Sequence, residues 1–380
     1  MHFLVLGAYG LVGRCIVKGL LDETECQITA TGRDPAKLDR LSALRSPRLS
    51  VSILDALDRT ALTRACGAAD VVVNCVGPYI VNGRDIAEAV IEAGCHYVDF
   101  AFEQFHYRRI QDLDQQARSR GVALVTAAGE VVGISSVLAA FLGTKLPGMR
   151  SVTISALEGK AEDDEVGFSS IMNGALEPAL GNQDFVDGKL IPARMGSDLV
   201  VRTFREPYGT MKMLSDPSID SLVLPERLNV STVKTYFGLG MDIPFGFFPL
   251  MRLLNPYKRR VFYRLAARVI RSMMRKDRAS KEKAGVPVAQ MLRVEATSDQ
   301  QKMAIEMTFR SDFNCTAYLP ILICRMFAEG ELTASGLQPA VDLVTPEKMM
   351  GRFEEYRSRG LLDWHTEGPE PIRPQPLPQG

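Results

Sequence analysis

Apolar and polar positions follow a regular rhythm over the first 130 residues. Short apolar runs, of which 71–73 is entirely valine, predict buried strands. The stretches between them place apolar residues every three or four positions, as amphipathic helices do. The predicted strands are 3–6, 26–31, 49–54, 71–76, 95–99 and 121–129, and the predicted helices are 11–21, one beginning at 35, 59–67, 83–93 and 104–120. This unbroken alternation predicts a doubly wound parallel sheet.

The pattern changes at residue 151. Segments 151–157, 199–204, 232–237, 289–297 and 303–310 alternate in part between apolar and polar side chains, without regular helices between them, and an apolar helix follows at 316–327. They predict a mainly antiparallel sheet. The expected fold is α/β. We expect an N-terminal Rossmann domain at 1–130 and an inserted, mainly antiparallel α+β domain at 131–330, which would serve the substrate or a homodimer contact. We also expect a return at 331–365 that packs on the Rossmann domain, and a disordered Pro- and Gln-rich tail at 366–380.

The first predicted strand runs into a glycine-rich turn. Gly7 permits a sharp turn, Gly10 leaves no Cβ where a pyrophosphate would approach, and Gly13 lets the next helix pack close to the strand. The N-terminus of that helix directs N–H groups and its positive dipole end toward the phosphates. Glycine turns also join strands to helices where no ligand binds, but the position of this turn favours a dinucleotide site.

The end of the second predicted strand distinguishes NADP from NAD. An NAD site usually has an acidic residue there to bind the ribose hydroxyls, whereas this chain has Thr31, Gly32 and Arg33. A guanidinium at this point can bind a 2′-phosphate through two hydrogen bonds, and Lys37 adds a second positive charge. The alternative is a solvated Arg33 beside an Asp34 that only caps the next helix. We expect NADP rather than NAD.

Two further loops lie at the edge of the sheet where open α/β folds bind ligands. The loop after the third strand is expected beside the adenine, and 74–79, after the fourth strand, beside the nicotinamide, although Asn-x-x-Gly-Pro can also be only a turn. The predicted cofactor-binding residues are Gly7, Tyr9, Gly10, Leu11, Val12, Gly13, Thr31, Arg33, Lys37, Asp55, Ala56, Asn74, Cys75, Val76, Gly77, Pro78 and Tyr79.

Composition narrows the functional classes. At 380 residues the chain is long enough for two domains. Its 45 basic and 45 acidic residues balance, which argues against a nucleic-acid partner. Seven cysteines and four histidines are scattered without a C-x-x-C pair, so neither a metal site nor a disulfide framework is predicted. No apolar run is long enough for a spanning helix, and reduced cysteines suggest a cytoplasmic protein.

Several motifs together resemble one known family. They are the turn Gly7 to Gly13, then Asn74-Cys-Val-Gly-Pro-Tyr79, Gly83, Ala93-Gly-Cys-His-Tyr-Val-Asp99 with Glu103 behind it, and Val125-Thr-Ala-Ala-Gly129. Over about the first third of the chain these residues resemble the NADP-binding domain of saccharopine dehydrogenase-like proteins. The resemblance implies a nicotinamide-dependent oxidoreductase acting on a C=N or C=O bond, or an enoyl reductase of a branch linked to lipids or membranes. That branch usually continues Gly-Phe-Asp-Ser-x-Pro, whereas this chain has Gly-Glu-Val-Val-Gly-Ile-Ser-Ser at 129–136.

Such a reduction needs a hydride from the cofactor and often a proton from the protein. The side chains expected at the crevice that could donate it are Glu130, Tyr79, Tyr97 and Asp99. Glu130 follows the last parallel strand at the lip of the crevice, whereas Asp99 could equally cap the next helix. His96 is more simply explained as a hydrogen-bonded strand residue. We expect hydride transfer to or from a C=N, C=O or activated C=C bond.

The segment 237–276 is aromatic in its first half and basic in its second, with no acidic residue from Lys258 to Lys276. One interpretation is a core-covering loop followed by an amphipathic helix with a solvated basic face. The other is an interfacial anchor or a lid over an apolar substrate, which would bring the protein into peripheral contact with a membrane. A rival function is a non-catalytic NADP-binding protein that presents this segment to a membrane or a partner.

Overall fold

The computed structural model describes residues 1–157, 176, 179–206, 208–238, 247–255, 258, 262, 265, 268–269, 272, 290–310 and 314–371. The remainder of the predicted aromatic and basic segment 237–276 lies outside the described residues. The described residues form two β-sheets and a continuous hydrophobic core that extends from one sheet to the other.

The strands, in chain order, are β1 (His2–Leu6), β2 (Gln27–Gly32), β3 (Leu49–Ile53), β4 (Val71–Asn74), β5 (His96–Val98), β6 (Ala123–Thr126), β7 (Ser151–Leu157), β8 (Asn182–Val186), β9 (Lys189–Ala193), β10 (Leu199–Thr203), β11 (Thr210–Ser215), β12 (Thr232–Gly238), β13 (Met291–Thr297), β14 (Gln301–Phe309), β15 (Gly336–Pro339) and β16 (Leu362–Pro371). The helices are α1 (Leu11–Glu23), α2 (Pro35–Ser42), α3 (Arg59–Cys66), α4 (Tyr79–Glu92), α5 (Gln104–Ile110), α6 (Asp114–Arg120), α7 (Ser135–Lys145), α8 (Asp220–Leu228), α9 (Phe247–Leu254), α10 (Cys315–Ala328) and α11 (Pro346–Ser358).

The first sheet is the predicted doubly wound parallel sheet. Its strand order is β15-β6-β5-β4-β1-β2-β3, and every pairing is parallel. All four residues of β4 are buried, because helices cover both faces at the centre of such a sheet. The order reverses between β1 and β4, and ligands bind in the crevice at such a reversal.

Two helix predictions differ from the structure. The helix predicted at 104–120 is two helices, α5 and α6, joined by a 3₁₀ turn at Gln111–Leu113. Helix α4 begins at Tyr79 rather than near Gly83, so the turn after β4 is shorter than expected. Tyr79 is therefore the first residue of a helix that starts at the crevice.

The second sheet is mainly antiparallel, as predicted. Its order is β10-β11-β12-β7-β13-β14-β16, with the hairpin β8–β9 joined to β12. Strands β7 and β12 are parallel, and the other pairings in the described part of this sheet are antiparallel. Residues such as Ile154 and Val294 point from its inner face into the core that includes Leu138 of α7.

Helix α10 attaches the C-terminal third of the chain to the first sheet. It packs along α1, where a Cβ at Gly19 would overlap the side chain of Ile321. The apolar side chains of α10 are buried on nearly all sides, which is why the sequence shows a continuous apolar helix rather than an amphipathic one.

The C-terminal return is divided between the two sheets. Strand β15 pairs with β6 at the edge of the first sheet, whereas β16 pairs with β14 in the second. The prediction of a disordered tail from residue 366 is wrong for 366–371, because backbone hydrogen bonding to β14 orders this polar stretch despite its composition.

Within the described ranges, no helix combines the length and the apolar composition that crossing a membrane would require.

Candidate nucleotide site and active site

The glycine turn after β1 packs directly against the end of β4. Gly7 has φ +69°, and a Cβ there would lie 3.1 Å from the carbonyl oxygen of Cys75 and from Val76. A Cβ at Gly13 would lie 2.5 Å from the carbonyl oxygen of Gly7 and 2.9 Å from the Cα of Ala8. Both positions therefore require glycine, one for its backbone conformation and one for the close approach of α1.

The N-terminus of α1 fits a pyrophosphate. Gly10 is the N-cap, no side chain caps the helix, and its first turn contains no acidic residue. A Cβ at Gly10 would meet only the carbonyl oxygen of Gly7, at 3.3 Å, so the space above the turn is open. Exposed N–H groups and a positive dipole end beside open space are the features that bind phosphate at helix N-termini.

Tyr9, Arg33 and Lys37, which lie around the end of β2, can face the adenosine half of a dinucleotide. The ring of Tyr9 covers Gly32, the Nζ of Lys37 lies 5.7 Å from the centre of that ring, and Arg33 is exposed beside them. Asp34 caps α2 by accepting from the N–H groups of Ala36 and Lys37 at 3.1 and 3.3 Å. The carboxylate of Asp34 is therefore hydrogen-bonded to the N-terminus of α2.

The structure changes the role predicted for Thr31. Its side chain is buried, and its hydroxyl donates to the carbonyl oxygen of Val5 at 3.0 Å. It therefore holds β2 against β1 rather than reaching a cofactor. Beyond β3, Asp55 is exposed and accepts from the N–H of Leu57 at 3.0 Å, whereas Ala56 is buried.

A buried hydrogen-bond network holds the turn after β4. Asn74 Nδ2 donates to the hydroxyl oxygen of Tyr97 at 2.8 Å, and the N–H of Val76 donates to Asn74 Oδ1 at 2.9 Å. The hydroxyl of Tyr79 donates to the carbonyl oxygen of Asn74 at 2.7 Å. Tyr97 has no exposed surface and Tyr79 is 6% exposed. Burial raises the pKa of both hydroxyls well above the ordinary value. This geometry favours a supporting role for the two tyrosines over the predicted catalytic one.

Asp99 belongs to a second buried network, which the sequence did not reveal. It accepts from Thr126 Oγ1 at 2.7 Å, from the N–H of Ala101 at 3.2 Å and from His106 Nε2 at 2.9 Å. Burial alone would raise its pKa, but the contact with His106 and the other donors hold it below the ordinary value. With all these partners and no exposed surface, Asp99 orders the turn after β5 rather than donating a proton. The separate prediction for His96 is confirmed, since its Nδ1 accepts from the N–H of Ala123 at 3.0 Å.

Glu130 begins a strained turn at the lip of the crevice. It is half-buried and opens the turn Glu130–Ile134, in which Val131 and Val132 have non-helical backbone angles. It lies between two residues of positive φ, Ala127 (+61°) and Val132 (+78°). A β-branched residue in that region is an outlier that costs about 1–3 kcal/mol, and such strain clusters at functional sites. Beside Glu130 lies the buried thiol of Cys315, which donates to Gln290 Oε1 at 3.0 Å and has its pKa raised by burial and by the carboxylate.

A buried serine and aspartate cluster fixes this turn to the second sheet. The N–H of Val132 donates to Ser135 Oγ at 2.7 Å, and Ser136 Oγ and Ser218 Oγ donate to Asp220 at 2.6 and 2.8 Å. Burial raises the pKa of Asp220 to about 6. Because Asp220 is 84 residues from Ser136, no local motif could have indicated this cluster.

An apolar wall is formed by Phe102, from the loop after β5, and by three residues on the inner face of the second sheet, Phe237, Leu214 and Leu199. The rings of Phe102 and Phe237 are 5.9 Å apart. Leu214 pairs with Phe237, and Leu199 pairs with Leu214, so their side chains share one face of the sheet. Leu199 is 55% exposed, which leaves the outer end of this wall accessible.

Residues 3–125 match the family model described as the saccharopine dehydrogenase NADP binding domain. The N-terminal domain belongs to this family. The family resemblance predicted from the motifs is thereby confirmed, and the family match supports a nicotinamide dinucleotide as the cofactor. Within the described residues, no cluster of His, Cys, Asp or Glu side chains could hold a metal ion.

Two relatives of this saccharopine dehydrogenase-like domain each match about a third of the chain. A probable mitochondrial saccharopine dehydrogenase-like oxidoreductase of Arabidopsis thaliana is 29% identical over 140 residues, which cover 33% of this chain and 31% of that protein. A lipid droplet localized protein of Caenorhabditis elegans is 28% identical over 137 residues, which cover 33% of this chain and 32% of that protein. The matches thus span about a third of the length of these relatives.

The second, inserted domain is recognised by its fold alone. The solved structure of apo saccharopine dehydrogenase (L-Glu forming) from Saccharomyces cerevisiae superposes with a TM-score of 0.62, covering 97% of this chain and 100% of that chain at 13% identity. This likeness confirms the predicted fold, a Rossmann domain with an inserted, mainly antiparallel α+β domain.

Proposed function

We propose that this protein is an NADPH-dependent oxidoreductase that transfers hydride to or from a C=N, C=O or activated C=C bond of a substrate with an apolar part. The strongest support is the glycine turn, in which Gly10 leaves open space above the uncapped N-terminus of α1. A bound nicotinamide would supply or accept the hydride. The residues of the chain would bind the pyrophosphate, orient the substrate and move the proton.

Glu130 is the best placed proton donor or acceptor in this proposal. It lies at the carboxyl end of the first sheet, where parallel α/β sheets bind their ligands. Gln290, next to Cys315, precedes β13 of the second sheet, so the turn of Glu130 lies where the two domains meet. The cluster around Asp220 would hold this turn in one position during the reaction.

The apolar wall supports a substrate with a hydrocarbon portion. Phe102, Phe237 and Leu214 line it, and Leu199 is exposed at its outer end. Burial of an alkyl chain against such side chains contributes about 0.8 kcal/mol per methylene group. We therefore expect purified protein to oxidise NADPH fastest with long-chain ketones, imines or enoyl thioesters, and more slowly with their short-chain counterparts. Tight NADPH binding without oxidation by any member of this panel would instead favour the non-catalytic alternative.

The preference for NADPH depends, in this proposal, on Arg33. We expect Arg33→Ala to weaken NADPH binding about tenfold or more and NADH binding little, since a hydrogen bond to a charged group contributes about 1.5–3 kcal/mol. Fluorescence titration with both nucleotides measures this. Arg40→Ala is the matched control, because Arg40 is also exposed and lies seven positions along the chain in α2. Equal weakening of NADPH and NADH by Arg33→Ala would contradict the assignment.

A further inference from the structure

Helix α9 is apolar on the side that faces away from the protein. Phe248 and Met251 point inward and are 7% and 3% exposed. Leu250 and Leu253 point outward and are 47% and 76% exposed, with Pro249 exposed beside them. A surface helix of a soluble protein normally places polar residues on its outer face, so this exposed apolar face calls for an explanation.

The helix is attached firmly enough to present this face in one orientation. The ring of Phe248 packs on the turn between β9 and β10, where a Cβ at Gly196 would lie 2.7 Å from it. Arg252 donates to the carbonyl oxygen of Met195 in the same turn at 2.8 Å. The outward direction of Leu250 and Leu253 is therefore set by packing.

The sequence around α9 is rich in positive charge. Residues 243–276 contain nine basic and no acidic side chains, although the whole chain is neutral. Lys258 and Arg268 are exposed, and so are Leu265 and Val269, at 49% and 40%. Exposed aliphatic and basic residues thus occur together along this segment, as they do in helices that bind membrane interfaces.

Arg252 of α9 contacts the residue that follows Arg194, because it donates to the carbonyl oxygen of Met195. The pKa of Arg252 is lowered, first by burial and then by repulsion from Arg194. Within the part of the chain that the structure describes, Arg252 Nε has no hydrogen-bond partner. An anionic surface next to α9 would offset the repulsion between these two positive charges.

We propose that α9 and the exposed basic and aliphatic residues that follow it form a docking surface for an anionic lipid membrane. The leucines would enter the boundary between headgroups and acyl chains, while the arginines and lysines would bind the headgroups. The turn that holds α9 leads directly into Leu199 of the apolar wall. A substrate with a hydrocarbon chain could thus pass from the membrane to the crevice, although the docking surface does not depend on the proposed enzyme activity.

The test is sedimentation of the full-length protein with phosphatidylcholine vesicles, with and without phosphatidylserine. We expect binding to the anionic vesicles that falls at high salt. Leu250→Asn combined with Leu253→Asn should weaken binding about tenfold or more, because two leucines lose apolar burial. The matched control is Leu44→Asn with Ile53→Asn, since these aliphatic residues are also exposed, at 37% and 66%, but lie in the first domain.

Three outcomes would overturn the proposal. The first is absence of binding to either kind of vesicle, and the second is equal loss of binding in the leucine pair and in the control pair. The third is that the protein binds polyglutamate but not vesicles, and that the leucine variants bind polyglutamate as strongly as the unchanged protein. This result would indicate an acidic protein partner instead.

Arg194→Gln combined with Arg268→Gln should reduce the preference for vesicles that contain phosphatidylserine. Thermal unfolding should show that every variant folds.

Discussion

The Gly13→Ala variant is expected to lose stability by about 1–3 kcal/mol, with a parallel loss of NADPH binding. The added methyl group would lie 2.5 Å from the carbonyl oxygen of Gly7 and 2.9 Å from the Cα of Ala8. Both atoms belong to the backbone of the nucleotide turn, so no side chain can move aside, and α1 must shift away from β1. Urea unfolding and NADPH fluorescence titration measure the two effects.

Gly351→Ala is the matched control for this variant. Gly351 also lies within a helix, α11, and a Cβ there would meet no atom within 4 Å. Alanine should leave the protein equally stable or stabilise it by up to about 1 kcal/mol, because glycine is the poorer helix former. If both variants unfold at the same urea concentration, close packing of α1 on the turn is not what requires glycine at position 13.

Glu130→Gln is expected to lower kcat by about 100-fold or more with the preferred substrate, as loss of a general acid or base does. The amide keeps the shape of the side chain but cannot release or take up a proton as a carboxyl group does. NADPH affinity should change little, since we propose that the pyrophosphate binds at the glycine turn after β1, whereas Glu130 follows β6. Steady-state kinetics together with NADPH titration separate the two effects.

Tyr79→Phe tests the rival assignment at the same crevice. The hydroxyl of Tyr79 donates to the carbonyl oxygen of Asn74 and is buried, so its removal should cost stability and leave kcat within a few-fold. The opposite pattern, with turnover lost in Tyr79→Phe and retained in Glu130→Gln, would show that the tyrosine donates the proton and that Glu130 is structural.

Most of the first sheet could be predicted because its strands are short, apolar and separated by amphipathic helices. Strand β15 was missed, since Gly336–Pro339 has no alternating pattern of its own and forms a strand only by pairing with β6. Strands β8, β9 and β11 were missed for a similar reason, because hairpins at the edge of the second sheet are partly exposed and mix polar with apolar residues on both faces.

The sequence by itself determined the glycine turn after β1, because Gly7, Gly10 and Gly13 act through backbone conformation and close approach within one turn. The exposure of Arg33 is likewise expected from its position after β2. Tertiary structure alone decided that Tyr97 and Asp99 are buried, and that Asp220 holds the turn of Glu130. Burial and hydrogen bonding at these residues depend on partners from other strands and helices, up to 84 residues away along the chain, and no local pattern specifies such partners.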